Sequence, residues 1–225
     1  MTSLYGPVGE SGLSFFGKVA ATACHELKNI LAVIGENNGL LEDIVFMAQK
    51  GRPFDPERLG RACADVGKQI QRADDLLANV SRFAHSVDCF EDEIDLEDGC
   101  RLVVFLARRL TAAKRLTVEV AAAGAVRLAK ANPLLIENLL WAALLEAADR
   151  CANGSALRVV VGERDGCPAV VFHGLENLDE EFRPTAPWTE LLAAASARWE
   201  ICGLERQCAL LFGEDEPPRL DGRSS

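Results

Sequence analysis

Two long runs of apolar residues at steps of three and four, joined by a short breaker, constrain this chain most. In the first run, Phe16, Val19, Ala23, Leu27, Ile30, Ile34, Leu41 and Ile44 or Val45 follow one another from Leu13 onward. That spacing predicts a helix with one buried stripe. Gly35 and Gly39 fall inside it and are expected to weaken or bend it there. The second run carries Leu59, Cys63, Val66, Ile70, Leu77, Val80 and Phe83. Between the two, QKGRPFDPER (49–58) supplies the punctuation. Gly51 ends a helix, Pro53 stops its continuation, and Asp55-Pro56 starts the next. Two helices of roughly 30 residues joined so tightly form an antiparallel hairpin. A hairpin alone buries only part of its apolar stripe. Self-association as a homodimer, giving a four-helix bundle, is therefore expected.

Past this hairpin the texture changes. An acidic linker, DCFEDEIDLEDG (88–99), comes first. Residues 101–114 are apolar at helical spacing, and LTVEV (116–120) alternates like a strand. Asn132-Pro133 signals the start of a strongly apolar helix reaching Cys151. Asn153-Gly154 is a turn, and LRVVVGE (157–163) and PAVVFHG (168–174) read as a strand hairpin. Residues 190–200 read as helix, and 199–204 with 207–212 as a closing pair of strands. The expected organisation is a flexible N-terminus (1–12), a helical domain (13–88), an α/β layer domain (94–213) and a disordered tail (214–225). The fold class is α+β.

Composition excludes several functions. Hydrophobic residues make up 49% and charged residues 26%, so a packed core is expected. The net charge of −10 argues against nucleic acid, whose phosphates select clustered Lys and Arg. No window approaches the roughly 18 uninterrupted apolar residues of a membrane span, and the N-terminal stretch lacks the pattern of a signal peptide. Eight cysteines are present without a single CxxC pair. They are expected to be reduced, mostly buried, small hydrophobes in a cytoplasmic protein.

Residues 24–29, CHELKN, hold the chemistry. A zinc-protease helix would need a second histidine four positions after the first. That position is Asn29. His25 sits two positions from Ala23 and from Leu27, which is about 200° of helical rotation away from the stripe. It therefore faces solvent. Asn29 shares its face, Lys28 lies alongside, and Glu26 is about 100° around. A neutral, exposed imidazole is a competent nitrogen nucleophile. An adjacent carboxylate can hold one ring N–H and leave the other nitrogen to attack. Cys24 is the wrong neighbour for a Cys–His pair, because adjacent helical side chains diverge. Trp141, Trp188 and Trp199 read as packing residues.

The stretch FFGKVAATACHELKNILAVIGENNGLLEDI resembles the dimerisation and phosphoacceptor helix of bacterial sensor histidine kinases. The matching positions are His25, Glu26, Lys28 and Asn29, followed by the apolar run 30–34. The second half is laid out like that family's ATP-binding domain, a GHKL/HATPase-like α/β sandwich. The resemblance spans roughly residues 13–213.

The nucleotide motifs, however, depart from the family's pattern. Its Mg²⁺-binding Asn falls on Glu146, before Ala147. Its adenine-binding Asp falls near His173, and its glycines become Leu175 and Asn177, with Gly174 out of register. RPTAPWTELLAAAS contains no glycine where the phosphates would need one. The lid between these motifs has shrunk to about ten residues. The expectation is that ATP binding is lost and the sandwich is degenerate.

A phosphoacceptor helix without a working ATP site resembles the histidine phosphotransferases built on a degenerate kinase frame. The resemblance implies a phosphorelay protein that accepts a phosphoryl group on His25 from the aspartyl phosphate of a response-regulator receiver domain. It then passes the group to another receiver. Glu26 would orient the imidazole, Asn29 would position water for dephosphorylating a receiver, and Lys28 would contact the partner. Mg²⁺ would come with the receiver, so no cofactor of its own is expected. Two alternatives remain at this point. One is an active sensor-type kinase with divergent nucleotide motifs. The other is a non-catalytic dimeric adaptor that binds a kinase or receiver.

Overall fold

A computed structural model describes residues 6–53, 55–122, 124, 126–176 and 187–213. The chain divides into two compact units. One is Phe16–His85, and the other holds the described residues on either side of it.

The first unit is a helical hairpin. Helix α1 runs Gly6–Gln49 and crosses the boundary between the units; α2 runs Pro56–His85. Phe16 stacks on Phe83 with ring centroids 5.5 Å apart, and Glu26 meets Arg72. These two pairings run in opposite directions along the two helices, so the helices are antiparallel. The turn obeys its local chemistry. Gly51 takes φ +73°, a conformation that glycine adopts without steric cost, and its N–H bonds to Ala48 O at 3.0 Å. Asp55 Oδ1 then accepts from the N–H groups of Glu57 and Arg58, capping α2, with Pro56 at its first position.

The N-terminus differs from expectation. Residues 6–12, read as flexible because of their Gly and Ser content, belong to α1. The part of α1 up to Phe15 is anchored in the second unit: Phe15 packs on Trp141 at 5.3 Å, and Asn138 Nδ2 donates to Ser11 Oγ. Tertiary packing overrides weak local propensity here.

The buried line also differs. On α2 it is Ala62, Leu76 and Phe83, whereas Cys63, Ile70 and Leu77 are exposed. Cys63, Ile70 and Leu77 are seven residues apart, and Ala62, Leu76 and Phe83 fall on multiples of the same step with Gln69 between the first two, so the helix is apolar on two faces. On α1, Val19, Ile30 and Ile44 are buried and Val45 is exposed.

In the second unit a short 3₁₀ turn (Ser86–Asp88) leads into β1 (Asp92–Asp95) and α3 (Leu96–Ala113). Next come β2 (Thr117–Ala122), β3 (Arg127–Ala131), α4 (Pro133–Asp149), β4 (Ala156–Arg164) and β5 (Cys167–His173). Helix α5 (Trp188–Ala194) and strands β6 (Ala197–Cys202) and β7 (Gln207–Phe212) complete it. Strands β1 and β3 form a small antiparallel pair. The main sheet has the order β2-β4-β5-β7-β6, with β2 and β4 parallel and the other pairs antiparallel. This is an α+β fold: a helical hairpin and a layered α/β unit.

Helices α3 and α4 cover one face of the sheet. Cys100, Val103, Leu140 and Leu144 meet Val159 and Phe172 there. Both helices begin as their sequences dictate, Asp95 capping α3 and Asn132 capping α4. The acidic stretch read as linker contains β1 and the first turn of α3. Strand β1 is found by pairing with β3, a partner that local sequence does not reveal. The helix expected over 190–200 is the shorter α5, and β6 takes its second half. Trp188 and Trp199 meet edge to face at 5.3 Å, and Phe172 lies 5.9 Å from Trp199. They are packing residues.

Fewer cysteines are buried than expected. Cys100, Cys151 and Cys208 are, but Cys24, Cys63 and Cys89 are exposed, and all eight are free thiols. No helix of the described residues is long and apolar enough to cross a membrane.

Candidate functional site

His25 projects from the middle of α1, where it is exposed. The helix places Asn29 one turn further along on the same face, also exposed, and its Nδ2 lies 3.2 Å from His25 Nδ1. Lys28 and Cys24 are exposed on either side. Glu26 turns the other way. It is 7% exposed, and its Oε1 accepts from Arg72 Nη2 of α2 at 2.5 Å. The four residues singled out in the sequence thus divide. His25, Lys28 and Asn29 share the outer face, and Glu26 enters the hairpin. Arg72 was missed. It lies 46 residues from its partner, and no local pattern links them.

The chemistry available here is that of an accessible ring nitrogen with an amide beside it. Among the described residues no cluster of His, Cys, Asp and Glu comes together as a metal site.

The residues that the resemblance aligned with nucleotide motifs lie in the second unit. Glu146, on α4, forms an ion pair with Arg150 one turn later. Leu175 is fully buried. Its backbone is held on both sides by Arg206: Leu175 N–H donates to Arg206 O at 3.2 Å, and Arg206 Nε donates to Leu175 O at 3.1 Å. Glu176 N–H donates to Arg150 O at 2.9 Å. The chain leaving β5 is therefore bonded down onto the end of α4 and the β6–β7 turn. A side chain fills space that a glycine would leave open. Asn177, part of the lid, and the first residues of RPTAPW lie outside the described residues.

His173 closes β5 opposite Arg158 on β4. Burial pushes its imidazole below the ordinary 6.5, and Arg158 adds to this, while Glu205 opposes it. His85 is exposed at the end of α2.

No family model matches the sequence, and no curated protein matches it significantly. Solved structures with a similar arrangement include a bacterial phosphotransferase, at 15% identity, covering 89% of this chain and 96% of that one, with a TM-score of 0.48. Another is the histidine kinase AdeS of Acinetobacter baumannii, at 13% identity, covering 85% of this chain and 98% of that one, with a TM-score of 0.43. A third is the cytoplasmic segment of histidine kinase QseC, at 17% identity, covering 65% and 95%, with a TM-score of 0.43.

Proposed function

We propose that this protein is a histidine phosphotransferase of a two-component phosphorelay. His25 accepts a phosphoryl group from the aspartyl phosphate of a receiver domain and passes it to the aspartate of a second response regulator. The observation that carries the reading is His25 itself: an exposed imidazole on a helical hairpin, with Asn29 3.2 Å away. A ring nitrogen attacks phosphorus in line while the aspartyl oxygen leaves, through a loose transition state that positioning and charge stabilise. The receiver brings Mg²⁺ for the equatorial oxygens. Lys28 contacts the docked receiver from the same face.

The second unit is read as a nucleotide-binding frame that no longer takes ATP. Buried Leu175 and the Glu146–Arg150 ion pair support this, because both occupy positions where the frame would need open space or a metal ligand. Cys63, Ile70 and Leu77 support a homodimer, since this apolar line faces outward from the single chain.

The test is transfer from a receiver carrying labelled phosphate. Label should appear on the wild-type protein, chase to a second receiver, and be absent from His25→Ala. Incorporation from labelled ATP without a receiver would establish the kinase reading instead. Tight receiver binding without transfer would establish an adaptor.

A further inference from the structure

The carboxylate that follows the candidate acceptor in sequence is engaged across the hairpin. Glu26 is buried, and Arg72 Nη2 donates to its Oε1 at 2.5 Å. Positions 25 and 26 are about 100° apart around a helix, so the carboxylate enters the seam while the imidazole lies on the exposed face. A charge-assisted bond of this kind is roughly twice as strong as a neutral one. Turning the carboxylate outward would separate a largely buried charge from its guanidinium. Asn29 has no such conflict. It lies one turn from His25 on the same exposed face, with its amide 3.2 Å from Nδ1.

An amide's oxygen and nitrogen exchange places by a half-turn, so this contact has two chemical forms. In one, Nδ2 donates to a bare Nδ1 and the ring proton sits on Nε2. In the other, Oδ1 accepts from Nδ1–H and the lone pair is on Nε2. Only the second form presents Nε2 as a nucleophile.

We infer that Asn29, rather than Glu26, is the positioning residue that holds the Nδ1–H of His25, and that Arg72 brings this about by keeping the Glu26 carboxylate in the hairpin seam. The inference rests on the phosphotransfer reading above. During transfer the Nε2 lone pair forms the N–P bond. The P–O bond to the aspartyl carboxylate breaks, and its electron pair leaves with that carboxylate. The Nδ1 proton stays on the ring, facing Asn29 Oδ1, and the phosphorylated ring carries the positive charge. A neutral amide stabilises that charge less than a carboxylate would. The N–P bond therefore stays easy to pass on, which suits a group that must both accept and donate.

Long-range proton–nitrogen NMR on protein with ¹⁵N-labelled histidine rings reads the His25 tautomer without any partner. Transfer from a labelled phospho-receiver reads the chemistry. The wild-type ring should be mainly Nδ1–H. Asn29→Leu should move it toward Nε2–H and slow labelling by about tenfold or more, the scale typical of lost supporting hydrogen bonds. Glu26→Gln should leave the tautomer where it is. Adding Arg72→Gln to Asn29→Leu releases Glu26 toward the ring and should recover part of the Nδ1–H population. A wild-type ring that is mainly Nε2–H would overturn the inference. So would Asn29→Leu keeping Nδ1–H while Glu26→Gln loses it. Label on His25→Ala would instead sink the phosphotransfer reading, and the NMR measurement would still stand by itself.

Discussion

A Cβ built on Gly174 would stand 2.4 Å from the carbonyl oxygen of Ala156. Gly174 follows β5 and takes φ +95°, so both space and backbone conformation demand glycine here. The close approach lets the chain turn off the sheet and seat Leu175 in the core.

Replacing Gly174 with Ala should therefore destabilise the second unit. Strain at such a position costs about 1–3 kcal/mol, and the clash with backbone adds to it. A thermal melt should show a midpoint several degrees lower, while Gly154→Ala, with open space around it, should cost less.

His173 should make stability depend on pH in one direction. Its folded pKa lies below the ordinary 6.5, because burial and then Arg158 oppose the charged form. The unfolded chain therefore takes up a proton near pH 6.5 before the folded chain does. Stability is full above that pH and falls as the pH drops from 6.5 toward the folded value. Urea midpoints at pH 7.5 and pH 5.5 should differ less in His173→Gln than in the wild type.

Thiol reactivity should separate the cysteines. Burial pushes the Cys100 thiol up to about 12, with Glu97 adding to the effect, and burial pushes Cys208 up as well. The thiolate is the reactive form. Brief treatment with a maleimide at neutral pH, followed by peptide mass mapping, should find Cys24 and Cys89 modified. Cys100 and Cys208 should react only after denaturation.

Ile70 and Leu77 are each about half exposed on α2. If a second copy covers them, Ile70→Glu with Leu77→Glu should halve the sedimenting mass while the helical circular dichroism stays. Wild-type protein already sedimenting as a single chain at micromolar concentration would refute the homodimer.

Local signals carried far in this chain wherever a structure is closed by neighbours in sequence. Asp55-Pro56 starts α2 and Asn132-Pro133 starts α4, because a cap needs only the next two or three N–H groups. Strand β7 covers the expected 207–212. Strand β1 was partly hidden because its acidic residues resemble a linker. Its strand conformation comes from hydrogen bonds to β3, some 35 residues later.

The sequence alone determined that His25 and Asn29 share a face, since four residues make about one helical turn whatever surrounds the helix. It also determined that Glu26 lies off that face. Two matters depended on the fold. One is which of two apolar lines on α2 faces inward, Ala62, Leu76 and Phe83 or Cys63, Ile70 and Leu77. The other is that Arg72 reaches Glu26. Both are set by the rotation and register of α2 against α1. Those are fixed by packing along the whole hairpin, from Phe16 on Phe83 to the turn at Gly51, and no short segment contains that information.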